Sequence, residues 1–232
     1  MKMVISSCMD KSISSEEEPK FLSSSFESLN VFSLCCINLK KDVKCKKQIE
    51  GLCVITPTVH GDSRGYFVET YNERDLADNG INVKFVQDNQ SMSVKGVLRD
   101  LHFQIRHPQC KLVRVIRGEV FDVVVDLRTD SETYGKWHGE ILSVENKKQF
   151  LIPEGFAHGF LVLSEEAEFC YKVNDFWHPN DEGGIAWNDP AIGIVWLDVC
   201  GEYNGSASAE GYMLSDGTPL VMSERNQLWG RM

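Results

Sequence analysis

A cation and an imidazole stand inside one apolar, strand-like run near the middle of the chain. Residues 97–104 read Val-Leu-Arg-Asp-Leu-His-Phe-Gln and follow Gly96. A charged group is costly to bury without a partner, so a core strand that carries Arg99 and His102 needs a reason. The run predicts a functional site. The alternative, from this run alone, is a satisfied polar pair near a sheet edge.

A second histidine stands in a turn-like segment further along the chain. Residues 153–158 read Pro-Glu-Gly-Phe-Ala-His, and this P-x-G-x-x-H spacing is similar to the second motif of cupin barrels, whose histidine usually points into the barrel mouth. In metal-binding cupins a first motif adds H-x-H and a carboxylate, whereas the matching stretch here offers only His102-x-Gln104. A neutral amide is a poor transition-metal ligand, so a bound metal is disfavoured.

Composition and charge limit the function classes. The chain has 232 residues, 42% hydrophobic and 25% charged, which is ordinary for a globular protein, and its formal net charge is -10. We therefore expect no general nucleic-acid binding, which needs clustered positive charge. No apolar run approaches the roughly 18 residues of a membrane helix, and the first residues show no apolar signal core. These features predict a cytoplasmic protein that binds neither nucleic acid nor membranes.

Two regions differ in composition. Residues 1–48 contain a stretch rich in Ser and Glu and a short basic run, and their apolar patch, residues 31–37, is too short to build a core. They are interpreted as a disordered or weakly ordered extension, with a partner-binding arm as the functional alternative. Residues 49–232 are interpreted as a single folded domain.

Short strands dominate the predicted domain. Asn72 is expected to cap a short helix through Asn79, with Gly80 as its left-handed stop. One strand, 119–127, places Asp122 and Asp126 on one face and apolar residues on the other. The runs that read as strands are 52–56, 66–71, 83–87, 97–103, 111–117, 119–127, 137–144, 149–152, 158–163 and 168–173. Many short strands between Gly- and Pro-bearing turns predict an all-β sandwich or barrel.

Several separate segments together resemble one enzyme family, the dTDP-4-dehydrorhamnose 3,5-epimerases. The resemblance runs in consistent order from about residue 51 to the end. It is carried by Gly61-Asp-Ser-Arg64-Gly-Tyr-Phe-Val-Glu69, Phe85-Val-Gln87-Asp88-Asn89, Val97-Leu-Arg99-Asp-Leu-His102, Lys111-Leu-Val-Arg, Ile152-Pro-Glu-Gly-Phe-Ala-His158-Gly, Glu168-Phe-Cys-Tyr171-Lys and Trp187-Asn-Asp-Pro. The resemblance implies a cupin-like jelly roll (double-stranded β-helix) with a few short helices. It further implies a homodimer that inverts C3 and C5 of a dTDP-4-keto-6-deoxy sugar without cofactor or metal.

The implied chemistry is proton transfer beside a ketone. Protons on C3 and C5 flank the C4 ketone, so a base, an acid on the opposite face and a cation at the ketone oxygen suffice for inversion. The resemblance makes His102 the base, Tyr171 the acid and Lys111 the cation. The substrate-binding residues that it implies are Arg64, Glu69, Gln87, Asp88, Asn89, Arg99, His158, Glu182, Trp177 and Arg225.

For three of these residues, a purely structural role is the alternative to a role in the active site. Tyr171 lies in an alternating run between Phe169 and Val173, so it could be a core tyrosine. Trp177 stands where the family has a tyrosine and should stack on the thymine, but it could be an ordinary packing residue. Arg64 follows a turn and could be a surface cation.

Two departures from the family bear on His102. Asp100 replaces the glycine of the family's R-G-L-H, and strict alternation places its carboxylate on the His102 face, where it could raise the histidine's pKa or crowd the diphosphate. The family's L-S-x-K-D ends in an aspartate that pairs with the histidine, and the best match places Asn226 there, with Asp216 in a competing alignment. In serine proteases the same acid-to-amide change costs about 10⁴ in rate. We hypothesise reduced turnover unless Asp100 or Asp216 substitutes; unchanged turnover in Asn226→Asp would refute this.

The spacing of Arg99 and His102 on one predicted strand raises a geometric difficulty. Period-two alternation places Arg99 and His102 on opposite faces, so both reach one pocket only across a β-bulge or through a neighbouring subunit.

Three other functions are alternatives to the 3,5-epimerase. They are an epimerase that inverts C3 alone, a sugar-nucleotide-binding protein that has lost catalysis, and a metal-dependent cupin enzyme.

Overall fold

The computed structural model describes residues 49–203, 205–224, 227, 229, 230 and 232, together with the backbone of 35–37. The predicted extension, residues 1–48, lies outside these except for a short strand at 35–37. Arg225 and Asn226 also lie outside the described residues.

The regular secondary structure of the described residues is almost entirely β-strand. Its α-helix, α1 (Glu73–Asp78), begins after Asn72, whose side chain accepts from the backbone N–H groups of Arg74 and Asp75, and Gly80 follows with a φ of 79°, as predicted. The strands are β1 (Cys35–Ile37), β2 (Cys53–Ile55), β3 (Val59–Asp62), β4 (Gly65–Val68), β5 (Gln87–Val94), β6 (Leu98–Gln104), β7 (Lys111–Arg117), β8 (Glu119–Asp126), β9 (Trp137–Ser143), β10 (Gln149–Ile152), β11 (Phe156–Val162), β12 (Glu166–Val173), β13 (Glu182–Ile185), β14 (Val199–Cys200) and β15 (Met213–Leu214). The prediction of an all-β fold is confirmed.

Two sheets hold the main core between them. The first has the order β1-β2-β10-β7-β12-β5 and the second β13-β6-β11-β8-β9, and every pair is antiparallel except β1 with β2. The core between them takes Val113, Phe150 and Phe169 from the first sheet and Val124 and Phe160 from the second. Such facing antiparallel sheets are the two layers expected of a jelly roll.

Part of each outer face is also covered, which explains why several strands are apolar on both sides. Phe121 and Val123 point from β8 into a second cluster with Trp187, Trp196 and Tyr212, so the segment after β13 packs on the outside of the second sheet. A third cluster covers the outer face of the first sheet beneath Leu76 of α1. The predicted alternation of 119–127 is confirmed, with Asp122 and Asp126 facing inward.

One strand prediction is wrong. Residues 83–86 form no strand, and Val83 and Phe85 instead pack on the cluster beneath α1. The strand is β5, whose polar side chains alternate between a partly buried and an exposed face because it lies at the edge of its sheet. Among the described residues, no helix is long and apolar enough to cross a membrane.

Candidate active site

A β-bulge brings Arg99 and His102 onto one face. In the ladder between β6 and β11, His158 pairs with His102 and Phe160 with Arg99. Three steps along β6 therefore match two along β11, and the extra residue restores a common face. Of the two alternatives that alternation left open, the structure shows the β-bulge. Arg99 remains exposed and donates to Ser93 Oγ at 3.1 and 3.2 Å.

The imidazole of His102 is fixed at one nitrogen and available at the other. Nδ1 lies 2.9 Å from the carbonyl oxygen of Asp100. A carbonyl oxygen only accepts, so Nδ1 carries the proton and Nε2 keeps its lone pair. Nε2 lies 3.3 Å from Nζ of Lys111. The Lys111 cation and then burial lower the pKa of His102 well below 6.5, which keeps the ring neutral as a base.

Lys111 opens β7 and projects into the same space. It is 6% exposed, and burial lowers its pKa to about 8 against the opposing attraction of Asp122 and Glu182. At neutral pH this amine is still a cation, but one close to losing its proton. A desolvated cation beside a base is suited to stabilise an oxyanion.

Tyr171 faces the same space from the first sheet. It lies on β12, where its Cα pairs with those of Val113 on β7 and Asn89 on β5. Burial raises the pKa of its phenol, so the hydroxyl stays protonated and able to donate.

These three side chains line one cavity of about 270 Å³. At its rim Trp177 is 54% exposed, and its Nε1 donates to Glu182 Oε1 at 2.7 Å. Gln87 Nε2 donates to Asn89 Oδ1 at 2.8 Å, so two polar side chains of β5 are organised together. The lining residues are Gln87, Asn89, His102, Phe103, Gln104, Gln109, Lys111, Tyr171, Trp177 and Glu182.

His158 lies behind this cavity and is not part of its lining. It is 4% exposed, and its Nε2 is 2.9 and 3.0 Å from the two carboxylate oxygens of Asp122, which is fully buried. Its ring centroid lies 6.1 Å from that of His102. Burial lowers the pKa of His158 and raises that of Asp122. The predicted substrate contact of His158 is therefore not seen within this chain.

Three other predicted substrate residues lie away from the cavity, each with a local partner. Arg64 is exposed and donates from Nε to Asp62 at 3.2 Å. Glu69 accepts from Asn72 Nδ2 at 3.1 Å. Asp88 lies on the exposed face of β5 and accepts from Lys172 Nζ at 2.6 Å.

The expectation that the Asp100 carboxylate acts on His102 is wrong. The bulge breaks the alternation on which it rested. The Asp100 side chain is fully buried, Oδ1 accepts from the backbone N–H of Leu101 at 2.8 Å, and burial raises its pKa to about 8. Its backbone carbonyl, and not its carboxylate, meets the histidine. Asp216 does not substitute either, because it pairs with Lys95 at 2.6 Å.

Sequence reasoning missed several contributors. Gln104 lines the cavity and accepts from His178 N at 2.6 Å, and alternation beyond His102 could have placed it there. Asp122 was placed on the same face of its strand as Asp126, but it was not assigned a role. Gln109 stands on a loop, where no periodic signal exists. Among the described residues, no three His, Cys, Asp or Glu side chains are grouped to hold a metal ion.

The arrangement can therefore do acid–base chemistry on a carbonyl compound. A neutral imidazole with a bare nitrogen, an ammonium group and a protonated phenol share one partly closed cavity. These are the three components that enolate formation and reprotonation require.

Comparison with known proteins identifies the family of this chain. Residues 46–229 match the family model of dTDP-4-dehydrorhamnose 3,5-epimerase. The enzyme of that name from Methanothermobacter thermautotrophicus is 59% identical over 151 residues, covering 65% of this chain and 82% of that protein. The one from Pseudomonas aeruginosa is 58% identical over 149 residues, covering 64% and 82%.

A solved structure extends the likeness to the fold. The dTDP-6-deoxy-D-glucose-3,5-epimerase of Legionella pneumophila, in complex with dTDP-4-keto-L-rhamnose, matches with a TM-score of 0.70 and 43% identity. The match covers 80% of this chain and 90% of that chain. The predicted cupin-like jelly roll is thereby confirmed.

Proposed function

The chain belongs to the dTDP-4-dehydrorhamnose 3,5-epimerase family, and from that premise we propose how its cavity performs the reaction. The enzyme is an isomerase that converts dTDP-4-dehydro-6-deoxy-D-glucose into dTDP-4-dehydro-L-rhamnose by inverting C3 and C5. One observation carries the mechanism: His102 Nε2 lies 3.3 Å from Lys111 Nζ in the cavity that Tyr171 also lines.

The base and the cation act together in the proposed first half-reaction. His102 Nε2 removes the proton from C3 or C5, and the electrons of that C–H bond move onto the C4 oxygen. Lys111 donates a hydrogen bond to the resulting enolate oxygen. Its cation also keeps His102 neutral before the reaction, so the base is ready at neutral pH.

Reprotonation from the opposite face produces the inversion. Tyr171 donates its phenolic proton to the carbon, the C4 ketone re-forms, and the two proton carriers exchange with solvent before the next cycle. The raised pKa of the phenol suits a group that must hold its proton until the enolate forms.

The rim residues seat the nucleotide in this proposal. Trp177 presents an exposed indole on which a thymine can stack, and its hydrogen bond to Glu182 fixes the plane of the ring. Gln87 and Asn89 supply amides from β5, and Arg99 adds a cation on the His102 face. Arg225 is proposed as a substrate-binding residue on the family resemblance alone.

Deuterium uptake tests the function directly. In D₂O we expect deuterium at both C3 and C5 of the dTDP-4-keto sugar, with inversion of both centres. Uptake at C3 alone identifies the C3-only epimerase. No uptake together with tight dTDP binding identifies a binding protein, and either result contradicts the proposal.

We propose a homodimer because Arg64 and Glu69 do not line the cavity of their own chain. The hairpin of β3 and β4 that carries Arg64 exposes Tyr66 by 60% and Phe67 by 68%. Exposed aromatic residues favour burial against another surface. Seated on a second copy, the hairpin would bring Arg64 to the partner's diphosphate site.

Mixing two inactive variants tests this arrangement. His102→Asn removes the base, and Arg64→Ala removes the shared cation. If Arg64 serves the partner, a mixed dimer contains one site with both groups intact, so activity returns on mixing. If the site is built within one chain, every site stays defective and mixing restores nothing.

We also propose a cytoplasmic location and a catalytic domain of residues 49–232. Cys110, Cys170 and Cys200 are free thiols, as is usual for proteins of a reducing compartment.

A further inference from the structure

The bulge in β6 controls which nitrogen of His102 carries the proton. A regular strand would turn the Asp100 carbonyl into the ladder with a neighbouring strand. The bulge instead frees this carbonyl to accept from His102 Nδ1 at 2.9 Å. The position of the base therefore depends on what keeps the bulge in place.

Gly159 provides the room for the bulge. It stands on β11 between His158 and Phe160, at the point where the ladder shifts register. A Cβ added there would lie 2.5 Å from the carbonyl oxygen of Arg99 and 2.8 Å from the carbonyl carbon of Asp100. Both contacts are with backbone, which has no flexible end that could move aside, so any side chain at this position must displace the bulge.

Asp100 closes the bulge from the other side. At the register shift, neither Asp100 nor Leu101 has a Cα partner on β11. Here Asp100 Oδ1 accepts from Leu101 N at 2.8 Å, so the side chain supplies an acceptor inside the buried layer. The family glycine at this position has no side chain that could do so.

We propose that Gly159 and Asp100 are positioning residues for the base. Gly159 makes space for the bulge and Asp100 caps its N–H group. Together they hold the carbonyl that keeps His102 as the Nδ1–H tautomer with Nε2 bare. The inference rests on the proposed function, because it takes His102 as the base.

Gly159→Ala is the main test, with Gly139→Ala as its matched control. A Cβ at Gly139 would lie 2.2 Å from the ring of Phe121, so both variants overpack the same sheet, but Gly139 lies on β9, two strands beyond the bulge. Gly159→Ala should lower kcat on the order of 100-fold, as an ångström-scale misplacement does, with a smaller change in KM. Gly139→Ala should lower Tm and leave kcat per folded enzyme within about twofold.

Nitrogen-15 NMR of the imidazole reads the tautomer without reference to turnover. In the parent chain we expect a protonated Nδ1 and a bare Nε2 for His102, and in Gly159→Ala a mixture of tautomers. Because this readout needs no activity, it remains decisive even if the chain proves not to be an epimerase. The parent tautomer in Gly159→Ala, or equal loss of kcat in both glycine variants, would overturn the proposal.

Asp100 is tested by a pair of variants that keep or remove the hydrogen-bond acceptor. Asp100→Asn keeps an oxygen for Leu101 N, and Oδ2 has no hydrogen-bond partner among the described residues that an amide could lose. It should keep the Nδ1–H tautomer, whereas Asp100→Ala should lose it and lower kcat. If both variants lose the tautomer equally, the Oδ1 acceptor does not hold it and the capping role is wrong.

Discussion

Two histidines occupy paired positions on neighbouring strands and have opposite surroundings. His102 and His158 face each other across the ladder between β6 and β11. His102 is held by a backbone carbonyl and keeps one nitrogen open toward the cavity and Lys111. His158 is buried against the Asp122 carboxylate. The same side chain is thus available for chemistry in one strand and committed to structure in the next.

The two histidines differ in the group that binds the imidazole and not in the imidazole itself. A carbonyl fixes the tautomer of His102 without adding a charge, so the Lys111 cation can hold its pKa down. His158 instead has its Nε2 occupied by the buried Asp122 side chain, and burial lowers the pKa of His158 and raises that of Asp122. Availability for catalysis is therefore set by what each strand places beside the imidazole.

Replacing each histidine should separate turnover from stability, and this is the largest effect we expect. His102→Asn should lower kcat on the order of 10³- to 10⁴-fold, the contribution of a general base, with little change in Tm. His158→Asn should leave Asp122 poorly paired and cost about 1–3 kcal/mol of unfolding free energy, with a smaller loss of kcat. Steady-state kinetics and thermal melts check both, and equal kinetic losses would break the comparison.

Removing the Lys111 cation beside His102 should produce the next largest effect on turnover. Lys111→Met should lower kcat on the order of 10²- to 10³-fold through loss of oxyanion stabilisation. It should also raise the pKa of His102 toward 6.5, because the main cause of its depression is gone. The base must be neutral, so the acid limb of kcat/KM should move to higher pH.

A second lysine provides the control for that experiment. Lys172→Met removes an exposed ammonium group that pairs with Asp88 on the outer face of the sheet. It should leave both the rate and the acid limb unchanged. An acid limb that stays in place in Lys111→Met would show that another group sets the His102 pKa.

Tyr171→Phe should uncouple exchange from inversion. With His102 and Lys111 intact, the enolate still forms, but the proton returns from the face that it left. Deuterium should therefore enter the sugar while epimerisation falls on the order of 100-fold, the contribution of a general acid. Mass spectrometry and product stereochemistry measure the two rates. A parallel loss of both would place Tyr171 with the base and not opposite it.

Much of this site could be predicted from sequence, because short motifs carried it. His102, Lys111 and Tyr171 lie in segments with a recognisable residue pattern, and the structure places all three in one cavity. Because Arg99 and His102 are three residues apart, counting also left only a bulge or a neighbouring subunit as alternatives, and the structure shows the bulge. In these cases, residues close together in the sequence carried the information that the prediction needed.

The errors have a different origin, namely contacts between distant segments. The strand expected at 83–87 failed because those apolar residues pack beneath α1, and β5 is a strand through its pairing with β12. The Asp100 carboxylate was assigned to the wrong face because alternation holds only in a regular ladder. Asp122 could not be matched with His158 from sequence, since the bond joins β8 to β11.

The smallest effect that we expect tests whether the pair of His158 and Asp122, which lies behind the cavity, influences catalysis. The Asp122 carboxylate raises the pKa of Lys111, which stands at about 8, so Asp122→Asn should lower that pKa and move the alkaline limb of kcat/KM to lower pH. At pH 7 the loss of kcat should stay below about tenfold. Asp126→Asn is the matched control, because Asp126 faces inward from the same strand but is bound by Arg128. If the alkaline limb moves in Asp122→Asn alone, the structural pair also tunes the catalytic cation. If it does not move, His158 and Asp122 serve the fold only, and the contrast between the two histidines is complete.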